Sequence, residues 1–453
     1  MKSDFKSSIV FWGGVRKVTG SNFLLDTGKE RILVDCGLIQ GENFAEDENR
    51  KPFPYDPSDI DICFITHAHI DHIGRVPKLV RDGFKGRIIS TAETKAMASF
   101  MFEDAISIME REKKEPLYAK EDALAALALW DTYDYREWFG AGVDLRAIFK
   151  DAGHILGSAI VILERNGKSM VFSGDLGNSP SPLLNDTEKV SLADYMVVES
   201  VYGDRNHENR SEREENFERV IRDVISKKGT LLIPSFSIEK TQILLHKLND
   251  LVESGSIKDV KVFLDSPLAV KVTEIYRRMP KNLNNDIQKH LAEGDDIFSF
   301  PMLKVTESSI ESREIVSQSG PKIVIAGSGM SSGGRIVKHE ERLLPDPSVT
   351  ILFVGYQAVG SLGREIQDGL KEVKIGDKKV RVRAKIVTIN GYSSHKDGEG
   401  LLEFVSNSAE TLKKVFVAMG EPKASMFLAQ RIRDYLCVEA VAPKVGDKYE
   451  IEF

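Results

Sequence analysis

Three histidines and a carboxylate fall within six residues of Thr66-His67-Ala68-His69-Ile70-Asp71-His72-Ile73-Gly74. With only nine histidines in 453 positions, this clustering marks a site rather than a chance polar loop. Imidazole and carboxylate together suit zinc, manganese or iron better than calcium or magnesium. If the chain is extended here, His67 and His69 point the same way, because strand side chains alternate. Asp71 and His72 are adjacent, so their side chains diverge and can face a second ion. That geometry suggests two metal ions sharing one loop.

The loop must be held by what precedes it. Ile62-Cys63-Phe64-Ile65 is an apolar run that reads as a buried strand, and a strand end fixes the backbone while side chains project from it. Other strand ends carry similar chemistry. Asp35 closes Arg31-Ile32-Leu33-Val34 and can reach the same sheet edge to orient a ligand; a solvated turn aspartate is the alternative. His154 lies among small residues in Asp151-Ala152-Gly153-His154-Ile155, ahead of the buried strand Ala159–Leu163. Asp175 follows Ser169-Met170-Val171-Phe172-Ser173-Gly174, and a carboxylate there can bridge two cations. Glu199 ends the strand that starts at Met196. Taken singly, each is a core histidine or a turn carboxylate.

The early strands are Ser8–Trp12, Asn22–Leu25 and Arg31–Asp35, with a turn at Asp26-Thr27-Gly28-Lys29. Helical patterns cover Ala92–Glu112 and Glu121–Trp130. After Arg205 the pattern changes. Ser211-Glu212-Arg213-Glu214 reads as a capping box. Strands at Thr230–Pro234, Val260–Leu264, Lys322–Ala326 and Val349–Gly355 then alternate with helices, as in a parallel sheet with crossovers. This places a second α/β domain at 207–375, inserted into a first domain made of 1–206 and 376–453. Lys379-Val380-Arg381-Val382-Arg383-Ala384-Lys385 alternates as one strand with a basic face, either solvated or flanking a polyanion. A strand then runs from Ile386 into Tyr392-Ser393-Ser394-His395, and the chain finishes with helices near Leu401–Val405 and Phe427–Leu436 around a strand at Val415–Ala418.

Composition limits the alternatives. The chain is 42% apolar and 29% charged, long enough for two domains, and carries a formal net charge of −7. Indiscriminate nucleic-acid binding is disfavoured by that charge; a local basic groove is not. No stretch approaches the roughly eighteen apolar residues a membrane span needs. Cys36, Cys63 and Cys437 form no spacing pattern, and with no signal-peptide core at the start of the chain they read as reduced thiols of a cytoplasmic protein.

Together the His67–His72 loop, Gly153-His154, Gly174-Asp175, Glu199-Ser200-Val201-Tyr202-Gly203-Asp204-Arg205 and Tyr392-Ser393-Ser394-His395 resemble the metallo-β-lactamase superfamily, and within it the β-CASP nucleases. Pro234-Ser235-Phe236, Leu264-Asp265-Ser266-Pro267 and Gly329-Met330 extend the likeness over nearly the whole chain. The resemblance implies an α/β architecture, an αββα sandwich with an inserted parallel α/β domain, and two zinc ions. Carried over by motif, His67, His69 and His154 bind one zinc, Asp71, His72 and His395 the other, and Asp175 bridges. It implies a zinc-dependent ribonuclease, endonucleolytic or 5′-to-3′ exonucleolytic, in which a hydroxide between the ions attacks phosphorus in line. Asp71, Glu199 and His395 are the implied catalytic residues, with Glu199 orienting its neighbours. Glu365 stands where the eukaryotic endonuclease pattern places a proton-donating histidine; His339 or a water are alternatives for that step. Histidine at 395 goes with RNA rather than DNA in this family.

Gly327-Ser328-Gly329-Met330-Ser331-Ser332-Gly333-Gly334-Arg335 joins a strand to a helix, where bare N–H groups suit a phosphate and glycines also allow tight packing. Ser328, Gly329, Arg335 and Ser361 are the candidate substrate contacts, Lys240 a weaker one. RNA is the implied partner, with no membrane association, and a homodimer is compatible with the reading. Two other classes compete: a small ester or thioester hydrolase using the same metal loop, and a non-catalytic RNA-binding scaffold. An inserted domain of about 170 residues suits a polymer better than a small ester, and no expected metal ligand is missing.

Overall fold

Apolar alternation over short strands builds two facing sheets. The computed structural model describes residues 7–41, 44–111, 113–207, 210–355, 357–358, 360–389 and 392–453. The capping box read at Ser211 falls on a side chain outside the described residues. The chain divides into two compact units, one made of Met1–Gln40, Phe44–Asn206 and Ser394–Phe453, the other of Gly41–Asn43 and His207–Ser393.

The first unit is a sandwich. One seven-stranded sheet runs Lys448–Ile451, Ser7–Gly13, Asn22–Asp26, Arg31–Val34, Ile62–Phe64, Arg87–Ser90, Trp130–Thr132. The other runs Ala440–Val441, Lys414–Val417, Tyr195–Val198, Lys168–Phe172, Ala159–Arg165, Leu145–Asp151, Phe139–Gly142. Because successive residues face opposite sides, Phe11, Phe23 and Phe64 of one sheet meet Phe416, Phe172 and Phe149 of the other in one buried cluster. Ring centroids lie 5.2 Å apart for Phe11–Phe416, 6.4 Å for Phe23–Phe172 and 6.3 Å for Phe64–Phe149. Each such ring contributes on the order of 2–3 kcal/mol of burial. On its outer face the second sheet is covered by helices Gly398–Ser406 and Pro422–Leu436, through Leu401, Phe404, Leu428 and Ile432. Helix Ala92–Arg111 buries Met97 and Phe102, the latter 6.3 Å from the Trp130 ring at the end of the first sheet. Strands Trp130–Thr132, Phe139–Gly142 and Leu145–Asp151 were not evident from the sequence; the first two are short and largely exposed, which removes the alternation signal.

The second unit holds a six-stranded sheet in the order Leu303–Val305, Lys261–Asp265, Lys322–Ala326, Thr230–Pro234, Val349–Phe353, Lys385–Thr388. All its pairings are parallel. The expected end of the insertion at 375 is corrected by the last of these pairings: Lys385–Thr388 completes this sheet, so the unit extends to Ser393. The single basic strand expected over 379–385 is two pieces. Lys378–Arg381 forms a hairpin with Glu372–Ile375, and Lys385 starts the sheet strand. The alternation itself holds, with Val380 and Ala384 buried between exposed cations. Lys379 pairs with Glu372 at 3.4 Å and Lys385 with Asp223 at 3.1 Å, which favours a solvated face.

Candidate metal centre

The histidine loop is fixed by Asp35, one parallel strand away. Asp35 is buried, and its carboxylate accepts from Thr66 N at 2.9 Å, Thr66 Oγ1 at 2.9 Å and His72 Nδ1 at 2.7 Å. It therefore orients ligands rather than sitting in solvent. Since the Thr66 hydroxyl donates to Asp35, its oxygen is left to accept from His67 Nδ1, 3.0 Å away. His154 Nδ1 likewise donates to the Ser394 carbonyl at 3.1 Å. In His67 and His154 Nδ1 carries the proton and Nε2 presents a lone pair to a common point. Gly174, at φ +54°, lets Asp175 turn into that point; a side chain there would meet Thr66 Cβ at 2.7 Å.

The result is a group of four. His67 Nε2 and His154 Nε2 lie 3.1 and 3.2 Å from His69 Nδ1, and both lie 3.5 Å from Asp175 Oδ2. A tetrahedron of bonds near 2.0–2.1 Å has an edge of about 3.3 Å, so the spacing is that of four ligands around one transition ion. Lone pairs of neutral imidazoles facing one another at this range repel unless a cation lies among them. Burial pushes the pKa values of His67, His69 and His154 down, which keeps them neutral and ready to ligate.

A second group adjoins the first through Asp175. Asp175, Glu199 and His395 bring ligand atoms within 4.8 Å of one another. Asp175 Oδ1 is buried with no hydrogen-bond partner and lies 3.5 Å from His72 Nε2. His395 Nδ1 faces Asp175 Oδ2 at 3.8 Å and Glu199 Oε2 at 3.3 Å. Burial opposes charge on His72 and His395; for His72 Asp175 and Asp35 outweigh it, for His395 Glu199 and Asp175 do, and both pKa values rise. Burial raises Asp71, which lies within electrostatic reach of His72 and Asp175. It also raises Glu199, whose oxygens accept from Leu176 N at 2.6 Å and Val201 N at 3.3 Å. All seven expected residues lie in this unit; His67, His69, His154 and Asp175 form one group and Asp175 and His395 join Glu199 in the other, while Asp71 and His72 stand beside these groups rather than in them. Thr66 and the Ser394 carbonyl are supports that no spacing rule singled out; Glu199 joins a candidate ligand group, where the sequence suggested only an orienting role.

The expected contacts in the second unit fare differently. Arg335 donates from Nη1 to Asp265 Oδ1 at 2.5 Å and to Thr306 O at 3.0 Å, and from Nη2 to Glu307 O at 2.6 Å. It ties these elements together, so its guanidinium is already engaged. Ser361 caps helix Leu362–Gln367, accepting from Arg364 N and donating to Ala358 O. Ser328 Oγ accepts from Ser332 N at 3.1 Å. At Gly329 a Cβ would lie 2.4 Å from Phe236 Cδ2, so packing requires this glycine. Glu365 is exposed on helix Leu362–Gln367. His339 Nε2 is committed to Asp265 at 2.6 Å.

Known proteins carry the same plan. The family model of the metallo-beta-lactamase superfamily matches residues 15–228, that of the Beta-Casp domain 241–366, and that of the Zn-dependent metallo-hydrolase RNA specificity domain 379–443. Ribonuclease TTHA0252 of Thermus thermophilus is 36% identical over 93% of this chain and 95% of its own. The chain belongs to the β-CASP family of the metallo-β-lactamase superfamily. As a β-CASP protein it is a metal-dependent hydrolase with the inserted-domain architecture. Transcription termination factor FttA of Methanosarcina mazei, 31% identical, is another relative, matched over 95% of this chain and 69% of its own. A solved protein of unknown function from Enterococcus faecalis V583 aligns over 98% of this chain with a TM-score of 0.58 at 11% identity, a likeness of fold alone.

Proposed function

We propose that this β-CASP protein is a zinc-dependent ribonuclease that hydrolyses RNA phosphodiester bonds. The observation that carries the reading is the buried ligand cage, four donors at 3.1–3.5 Å sharing Asp175 with a second group. RNA is the favoured substrate because the full-length relative from Thermus thermophilus is named a ribonuclease and an RNA specificity domain model matches residues 379–443.

His67, His69, His154 and Asp175 would hold one zinc; Asp71, His72 and His395 would hold a second with Asp175. Two bound ions would supply Lewis acidity, activating a water and offsetting charge that grows on the phosphoryl oxygens. The chain's own part is to prepare these positions. Asp35 and Thr66 fix the tautomers of His67 and His72, and the Ser394 carbonyl fixes that of His154. Glu199, held by two backbone N–H groups, positions the His395 ring from 3.3 Å. Attack on phosphorus in line leaves a 5′-phosphate and a 3′-hydroxyl. A cytoplasmic location goes with this reading: Cys36 and Cys63 are buried free thiols and Cys437 an exposed one. Among the described residues no helix is long and apolar enough to cross a membrane.

The test offers 5′-labelled RNA, matching single-stranded DNA and a thioester, each with and without chelator. Chelator-sensitive cutting of RNA is expected. Cleavage of the thioester alone would make the protein a small-ester hydrolase, and RNA binding without turnover would make it a scaffold.

A further inference from the structure

The parallel sheet of the second unit has a topological switch point that its known motifs do not use. From Thr230–Pro234 the chain crosses to Lys261–Asp265 on one side; from Val349–Phe353 it crosses to Lys385–Thr388 on the other. These two starting strands are neighbours, and all strands of the sheet are parallel. Diverging crossovers leave a crevice outside the carboxyl ends of such a pair, where ligands of open α/β sheets bind.

Lys240 stands at that place. It opens the fourteen-residue helix Lys240–Glu253, which follows the first strand, and its Cε is near Gly355, which follows the other. The side chain is 4% exposed, and its Nζ is buried with no hydrogen-bond partner. A buried ammonium without a partner costs several kcal/mol. The charged groups facing it are Glu239 and Arg213, and Arg213 is itself 8% exposed, its guanidinium 4.7 Å from the Tyr392 ring centroid. Glu239 is engaged by the Tyr276 hydroxyl at 2.5 Å. Arg213 also pairs through Nη2 with Glu214 Oε1 at 3.6 Å, so the carboxylate that faces Lys240 is Glu239, which already serves Tyr276. Burial, together with Arg213, lowers the Lys240 pKa to about 7 in the absence of an anion, with Glu239 acting the other way. Glu239 also takes φ +63°, a conformation costly for any residue but glycine.

We propose that Lys240, with Arg213 beside it, forms an oxyanion subsite in the inserted domain that takes a phosphate group of the substrate chain. This deepens the ribonuclease reading and rests on it for the identity of the ligand. The subsite adds one charge-assisted contact at a position that the metal cage does not supply.

The experiment uses the full chain as wild type, K240M and K240R, each in the His69→Ala background so that RNA is bound without being cut. Methionine keeps the shape of the buried stem and removes the charge, and arginine keeps the charge. RNA oligonucleotide binding is measured across salt concentrations, with a melting temperature for each protein. K240M is expected to bind about tenfold or more weakly, with the slope of log affinity against log salt shallower by about 0.7, one phosphate contact to a single strand. K240R should restore most of both, and K240M should melt no lower than wild type. Equal affinity and slope in all three proteins overturn the subsite, whatever their melting temperatures. Should the Lys240-containing protein bind no RNA, the ribonuclease reading fails, and inorganic phosphate decides the subsite. A saturable rise in melting temperature, lost in K240M and kept in K240R, supports it; the same response in all three rejects it.

Discussion

Replacing Asp35 by asparagine tests whether the metal cage is built from outside its ligands. The aspartate is 1% exposed and accepts two hydrogen bonds from Thr66 and one from His72 Nδ1 at 2.7 Å. Asparagine keeps the volume but has one acceptor oxygen and one NH₂. If the oxygen keeps Thr66, the NH₂ faces His72 Nδ1, and two donors meet unless the imidazole changes tautomer. The changed tautomer carries its proton on Nε2, the nitrogen that lies 3.5 Å from Asp175 Oδ1 and would bind the second ion. A hydrogen bond to a charged group is worth about 1.5–3 kcal/mol, and two are lost or weakened. The D35N protein should be less stable by about 3–5 kcal/mol in urea denaturation, as for a broken buried pair. Affinity at the second metal position should fall about 10–100-fold, the usual cost of removing a ligand's outer partner, read by competition with a coloured chelator. A D35N protein within about 0.5 kcal/mol of wild type that still binds two ions with unchanged affinity would refute this reasoning.

His69→Ala should abolish RNA cleavage while the circular dichroism spectrum and melting temperature stay close to wild type, because the loop is a site and not part of the core; retained activity would falsify the assignment. Gly329→Ala should destabilise by about 1–3 kcal/mol in denaturant titration, since the added methyl meets the Phe236 ring at 2.4 Å; an unchanged midpoint would show that the ring moves freely. Burial raises the Glu340 pKa to about 8, so the folded protein keeps a proton that the unfolded chain releases above the ordinary glutamate value. Its contribution is therefore full below about 4.5 and is lost as pH climbs through about 8. Glu340→Gln should thus gain on wild type, by on the order of a few kcal/mol, between pH 5 and pH 8.5; parallel stability curves would contradict that.

The candidate ligands could be named from the sequence because metal chemistry restricts residue type and because four of them share one short loop. The supports were less evident. Asp35 was visible as a candidate, but its burial depends on the pairing of strands Arg31–Val34 and Ile62–Phe64, which no local pattern declares. The partner of Arg335, Asp265, is seventy positions away, so a glycine-rich turn before a helix suggests phosphate without revealing that the guanidinium is engaged. The insertion ended late for a similar reason. Lys379–Lys385 alternates like one strand, yet a break over residues 382–384 gives its ends to two different sheets. Glu365 was placed by motif alone, and motif says nothing of exposure.

The central claim is that Asp175 joins two zinc positions in one cage. Anomalous diffraction above and below the zinc absorption edge, on crystals of protein purified without chelator, addresses it directly. Two peaks per chain are predicted, one among His67, His69 and His154, the other among Asp71, His72 and His395, with Asp175 reaching both. One peak only, or none after zinc has been supplied, would contradict the account.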